Sequence, residues 1–512
     1  MFQRIAFCVV LMFHAGISFG QSWDLFGGQN LFGSWPADQT CVVVVDIATS
    51  GCDLFAALQG YPSTSANCSG VHHFDGSVWM GQIAGNGEMG SWGGAGDSRG
   101  CYCLASNTDT LFAGVGTGNA GGTASVWAFS FSASSWQEIF GNGIAGSWPA
   151  GSFGYVSTLA IDGSSLYVGV GDGLSSYGAT VWAYDLSTGI GVQIGGDLLF
   201  GSWDSSGFGY THVDALATGG GYLHASVSNG VRSSLFRRPL AGGNWEEIRG
   251  PWSVLATTAK SLAWHRGRLF AGLRSDGSEA DLYHWDGLVW TRDCGDGLNG
   301  SWVTDSSDGL FALASVGNIL YIGLGNSDMT VAKSEVWEWD GFECAQVGGR
   351  GLYGSWPSAA GIVGDIEAYG DVVVVGLGAD PTLLGETWRF IPPEVMVPEV
   401  NGLRVERNSV DRSELVLTWT DVPSTRYDLL GGVIGELWQD HGFARSNCEL
   451  EGLTSPNCSI PLAGESKWFL VRARTSCPGA MVGTCGSSFY PPPGGGPDYR
   501  DFLDDPATDP CP

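Results

Sequence analysis

VSTLAIDGSSLYVGVGDG at residues 156–173, with ATVWAYD at 179–185, VQIGG at 192–196 and Gly201-Ser202-Trp203 behind it, decides the fold. Short apolar runs alternate with small or polar residues, and Asp162-Gly163-Ser164 separates the first two runs. Period-two alternation bounded by turn residues predicts strands joined by a tight hairpin. A helix would not tolerate so many glycines, each costing about 1 kcal/mol against alanine.

The stretch recurs along the chain. Gly-Ser-Trp returns at Trp35, Trp92, Trp148, Trp203, Trp302 and Trp356, with a Gly-Pro-Trp copy at Trp252, at intervals of 49 to 57 residues. In every copy one apolar residue (Ile47, Leu104, Leu159, Leu216, Leu262, Leu313, Ile366) is followed seven places later by another (Leu54, Leu111, Leu166, Leu223, Leu269, Leu320, Val373). Three residues beyond stands a small side chain: Ala57, Gly114, Gly169, Ser226, Gly272, Gly323 or Gly376. A third strand then carries a ring at His72, Trp127, Trp182, Phe236, Tyr283, Trp337 or Trp388. A large ring facing a small residue predicts sheets stacked face to face, ring into gap.

The last copy supplies three strands, ending at Thr387-Trp388-Arg389-Phe390, and Ser22-Trp23-Asp24-Leu25-Phe26-Gly27-Gly28 at the other end supplies the missing fourth. Pairing the two ends removes exposed strand edges. The expectation is an all-β chain: a seven-bladed β-propeller closed by an N-terminal strand, plus a small β-sandwich domain.

The order small-residue strand, then VW-x-YD, then Trp-x-x-Ile-Gly-Gly resembles kelch-type propellers over residues 21–392, although kelch repeats lack the Gly-Ser-Trp signature. Beyond a linker at 393–400, LVLTWTD at 415–421 and Trp468-Phe469-Leu470-Val471-Arg472-Ala473 resemble the buried-Trp strand and the late aromatic strand of a fibronectin type III domain. That module spans 401–488. Its ending, Cys511-Pro512, is similar to C-terminal segments of large secreted bacterial proteins, and the Pro/Gly-rich stretch 489–512 is a tail that buries little.

Arg4, the apolar run Ile5–Phe13 and Ser18-Phe19-Gly20 read as a signal peptide over 1–20, and no other segment reaches membrane-spanning length. The expected location is secreted, extracellular or at the cell surface. Of 13 cysteines, loss of Cys8 with the signal leaves an even number, which permits complete pairing in an oxidising compartment. The net charge of −29 repels phosphate backbones and anionic membranes, so nucleic acid is excluded as a partner.

The loops after the second and fourth strands share one face of a propeller. There the sequence places Trp92, Trp148, Trp203, Trp302 and Trp356 beside Asp172, Asp276, Asp328 and Asp380, a candidate ligand surface. Rings stack on apolar sugar faces while carboxylates accept hydrogen bonds from hydroxyls. The competing reading makes each tryptophan an internal wedge that maintains the repeat. Asp46, Asp365 and Glu367 are expected near the central channel, where clustered carboxylates bind calcium, perform acid–base chemistry or form a polar lining. Asp214 is expected to stand alone.

No catalytic motif or cofactor signature is evident, and calcium is the one cation to consider. Copper radical oxidases similar to galactose oxidase share the two-domain plan, but Tyr283-His284, His441 and Cys101-Tyr102-Cys103 do not reproduce their copper ligands. The functional expectation is a binding or adhesion protein with a glycan or protein ligand. The alternative is an extracellular polysaccharide hydrolase or lyase.

Overall fold

The computed structural model describes residues 22–391, apart from position 371 and stretches of the connections after second and fourth strands, and six strands between 404 and 475. The chain divides into two compact bodies, Ser22–Ile391 and a second composed of Met1–Gln21 with Pro392–Pro512. The helices among the described residues are three single 3-10 turns.

Within Ser22–Ile391 the described strands form seven antiparallel groups of four, here called meanders one to seven. Their first strands are Cys41–Ser50, Gly100–Ser106, Tyr155–Asp162, His212–Gly219, Thr257–His265, Gly309–Val316 and Ala360–Tyr369. In meander three Asp162 pairs with Ser165, so the hairpin turn is Gly163-Ser164, with Gly163 at φ +56°. The first strands neighbour one another in sequence order, and the seventh lies beside the first. Val43 bridges Gly378 across that last junction. The body is a β-propeller whose first strands surround a central channel.

The chain's beginning completes its end. Ser22–Gly27 pairs with Glu386–Ile391 as the fourth strand of meander seven, Trp23 opposite Phe390. Trp23 stacks on Phe390 at 4.7 Å and donates its indole N–H to Val347 O of meander six at 2.6 Å.

The small residue of each second strand receives a different partner from the one expected. A Cβ added at Gly114 would lie 2.6 Å from Val156 Cγ1, at Gly169 2.8 Å from Val213 Cγ1, and at Gly376 2.6 Å from Val44 Cγ1. The gap is filled by an aliphatic side chain on the next meander's first strand. The meanders approach most closely near the axis, where only a missing side chain leaves room for a neighbour's valine. The third-strand rings lie further out, where the meanders diverge and need more bulk between them.

Fourth strands are joined by a second device. Trp79, Trp136, Trp245 and Trp290 donate indole N–H bonds to Phe26 O, Ile83 O, Ile194 O and Ile248 O of the preceding meander, at 2.5–2.9 Å. Meander three carries Gly191 at this position, and the Phe140 ring of meander two takes the space. Meander six carries Cys344, which forms a disulfide to Cys294 of meander five, Cα–Cα 6.4 Å.

Cys52 is also disulfide-bonded. Cys101 and Cys103 carry buried thiols, so the complete pairing that the even count permits is not reached. Both sit on one innermost strand and are packed against neighbouring meanders.

In the second body, Arg404–Arg407, Glu414–Thr418 and Asn457–Pro461 form one antiparallel sheet. Thr425–Val433 forms another between Asn447–Leu453 and Lys467–Thr475. Trp419, in the expected buried-Trp strand, and His441 lie outside the described residues.

Candidate functional site

The Gly-Ser-Trp tryptophans do not present their rings to solvent. Trp92, Trp148, Trp203, Trp302 and Trp356 are 1–4% exposed, as is Trp35. The indole N–H groups of Trp148, Trp203, Trp302 and Trp356 donate to Ala124 O, Ala179 O, Ala280 O and Ser334 O of the meander just completed, at 2.6–3.0 Å. The rings pack on the third-strand rings of the meander about to begin: Trp148 on Trp182 at 5.6 Å, Trp203 on Phe236 at 5.2 Å and Trp356 on Trp388 at 5.9 Å. Each tryptophan is therefore a staple between successive meanders, and the expected stacking surface for a ligand is corrected. An indole caught between two sheets has no free face to offer.

Asp172, Asp276, Asp328 and Asp380 lie outside the described residues. Among the described residues no group of three or more His, Cys, Asp or Glu side chains is placed to hold a metal ion.

A feature with no sequence signal instead shapes the channel. All seven first strands carry a β-bulge at one equivalent position, where Val45, Tyr102, Ser157, Asp214, Lys260, Phe311 and Gly364 have no partner in the pairing register. The residue before each bulge is buried and the bulged residue is half-exposed. A bulge re-aims one side chain out of the regular alternation. On an innermost strand the open side is the channel.

On meanders two to five this wall is aromatic, then charged. The ring of Tyr102 lies 4.7 Å from that of Tyr155, which lies 6.5 Å from His212. Burial raises the pKa of the Tyr102 phenol, while a hydrogen bond from Gln59 lowers it. Next stands Asp214, whose Oδ1 pairs with the Lys260 ammonium. Asp214 was expected to be isolated, and the adjacent bulge supplies its partner. Its side chain is 3% exposed, that of Lys260 29%, and Asp214 Oδ2 has no hydrogen-bond partner. A buried carboxylate oxygen left unsatisfied costs about 1–3 kcal/mol, and more when charged.

On meanders seven and one the wall is acidic, as the spacing suggested. Asp365 Oδ2 and Asp46 Oδ1 both accept the Ile47 N–H, at 2.8 and 2.9 Å. Asp46 Oδ2 accepts the Leu104 N–H of meander two at 2.6 Å, and Glu367 Oε1 accepts from Thr49 Oγ1 at 3.3 Å. All three residues are half-buried on the innermost strands, and their carboxyls are surrounded by dense protein. Burial, then the charge of Asp365 and the hydrogen bond shared with it, pushes Asp46 well above the carboxylate range. Burial lifts Asp365 to about 6. Glu367 rises to about 8 through burial and the Asp365 charge.

The remaining sequence candidates are structural. His72 donates its Nδ1–H to Ser34 O at 2.8 Å, and burial lowers its pKa to about 4. His284 Nδ1 meets Asp293 Oδ2 at 2.6 Å, and Tyr283 packs on Trp252 at 5.1 Å.

Fold and site together define an all-β propeller protein with a channel that is aromatic and charged on one side and acidic on the other. No protein-family model matches the chain, and no curated protein matches it. Among solved structures it is similar to an ulvan lyase of the polysaccharide lyase family PL25, bound to -[GlcA(1-4)Rha3S]-. The TM-score is 0.43 at 11% identity, covering 71% of this chain and 95% of that one.

Proposed function

We propose that the chain is an exported protein that binds carbohydrate along its channel wall, from Tyr102 to Lys260. The observation that carries this reading is the row Tyr102, Tyr155, His212 running into the Asp214–Lys260 pair. Rings for stacking beside fixed hydrogen-bonding groups are what sugar recognition requires. Tyr155 opposes Gly171 in the register, so the connection carrying Asp172 starts at the same end of the channel. In this reading Asp172, Asp276, Asp328 and Asp380 extend the surface, and any calcium falls to them.

The domain plan belongs to the same proposal: signal peptide 1–20, kelch-like propeller 21–392, linker 393–400, fibronectin-type-III-like module 401–488 and tail 489–512. The Cys294–Cys344 bridge supports an oxidising, extracellular location. The split of the C-terminal strands, first, second and fifth against third, fourth and sixth, supports a Greek-key sandwich.

A polysaccharide-active enzyme, hydrolase or lyase, is the second reading, favoured by the Asp46–Asp365 pair. Those carboxyls hydrogen-bond to each other, whereas glycosidase pairs stand about 5–9.5 Å apart. Binding therefore takes precedence.

Screening the mature protein on a glycan array, beside a reducing-end release assay, tests both. Tyr155→Ala should weaken the strongest glycan about tenfold or more, a loss of about 1.4 kcal/mol, with the fold retained. No binding on the array, or binding indifferent to both Tyr155→Ala and Lys260→Met, overturns the reading.

A further inference from the structure

Meanders seven and one are joined across the closure of the ring, and their first strands meet along the acidic wall. Asp365 reaches from meander seven to the Ile47 N–H of meander one, and Asp46 reaches from meander one to the Leu104 N–H of meander two. The equivalent positions elsewhere hold Cys103, Thr158, Ala215, Ser261 and Ala312, so only this seam uses carboxyls. Two carboxyls in hydrogen-bonding contact require a proton between them, because two like charges at that range cannot both persist. Glu367 stands two residues along the same strand, held by Thr49 of meander one.

We propose that the closure of the propeller is locked by protons held on Asp46 and Glu367, tight in mildly acidic surroundings and loosened in alkaline ones.

The groups facing the seam offer no counter-charge. The first strand of meander six (Gly309–Val316) and the second strand of meander seven (Val372–Ala379) bring no titratable side chain. The first strand of meander two brings Cys101, Tyr102 and Cys103, whose pKa values burial pushes up, so they stay neutral. Tyr369, further along the strand of Glu367, donates its hydroxyl to Cys52 O and is pushed up to about 12, mainly by burial. Asp53, at the start of the second strand of meander one, pairs with His73. Among the described residues no cation contributes to the balance at Asp46, Asp365 or Glu367.

The sign follows from linkage. An acid that holds its proton more tightly when folded than when unfolded stabilises the fold at low pH. That stability is lost as pH rises from the ordinary carboxylate range toward the folded pKa. For Asp365 the loss ends near 6 and for Glu367 near 8. The contribution of Glu367 is therefore complete below about pH 4 and lost above about pH 9, and that of the Asp46–Asp365 pair likewise falls as pH rises.

Thermal melts of the mature protein between pH 5 and pH 9 read this directly. The wild type should lose roughly 5 °C or more across that range. Glu367→Gln and Asp365→Asn, which keep shape and acceptor but cannot ionise, should flatten the profile and melt above wild type at pH 9. Glu88→Gln, on an exposed 3-10 turn, removes one charge and should leave the profile unchanged. Hydrogen exchange of the wild type at the two pH values, corrected for intrinsic rates, should show loosening in 22–27, 41–50 and 360–369 before 212–219. A flat wild-type profile, an equal effect of Glu88→Gln, or uniform loosening around the ring overturns the proposal.

Discussion

At the scale of single residues, the recurring Gly-Ser-Trp has a separate reason for each member. The glycine is left-handed in six copies, φ between +71° and +82° at Gly33, Gly90, Gly146, Gly201, Gly300 and Gly354. Serine closes the loop, its Oγ accepting a backbone N–H six residues back at Gly28, Gly85, Gly196, Gly295 and Gly349, 2.8–2.9 Å. Tryptophan staples. Trp148→Ala should then cost about 3–5 kcal/mol, the price of deleting a fully buried ring. Gly146→Ala should cost about 1–2 kcal/mol, because its Cβ would lie in a left-handed backbone 2.9 Å from Gly191 O. Denaturant melts check both, and a neutral Trp148→Ala would contradict the staple. The repetition of these tryptophans was plain in the sequence; their direction was not. A ring that stacks on a sugar and a ring that wedges two sheets have the same residue type and spacing, and only burial separates them.

At the scale of elements, strand pairing was legible from the seven-residue offset, since an apolar position on each strand at a constant distance from a two-residue turn marks a hairpin, although the two positions lie diagonally, Leu159 opposite Val168 and Leu166 opposite Ile161. The bulges were not legible. The extra residue is valine, tyrosine, serine, aspartate, lysine, phenylalanine or glycine, so it has no type to recognise, and it carries the proposed site. The fourth strands show a device exchanged for another: an indole bond joins most neighbours, and a disulfide joins meanders five and six. Changing Cys294 and Cys344 together to serine should therefore lower stability by about 2–4 kcal/mol without changing the fold. Far-UV dichroism with a thermal melt tests it. An unchanged melting temperature would mean that the bridge does not hold that junction.

At the scale of the whole molecule, closure was legible because a missing strand at one end matched a spare one at the other. Deleting 22–27 removes the strand paired with Glu386–Ile391 and the Trp23 bond to Val347. Aggregation or a large fall in melting temperature is expected, from the newly exposed edge of Glu386–Ile391 and the loss of Trp23 from the junction with meander six. The candidate site was only half legible: Asp46, Asp365 and Glu367 were placed together from the repeat, while the Tyr102–Lys260 wall needed the bulge geometry. The claim that joins these scales is that the loop tryptophans hold the ring together and the channel wall binds. Hydrogen exchange of the mature protein, with and without the strongest glycan from the array, tests that claim most directly. Protection is predicted in 100–104, 155–159, 212–216 and 257–262. Protection confined to the Gly-Ser-Trp loops, with those four segments unchanged, would contradict it.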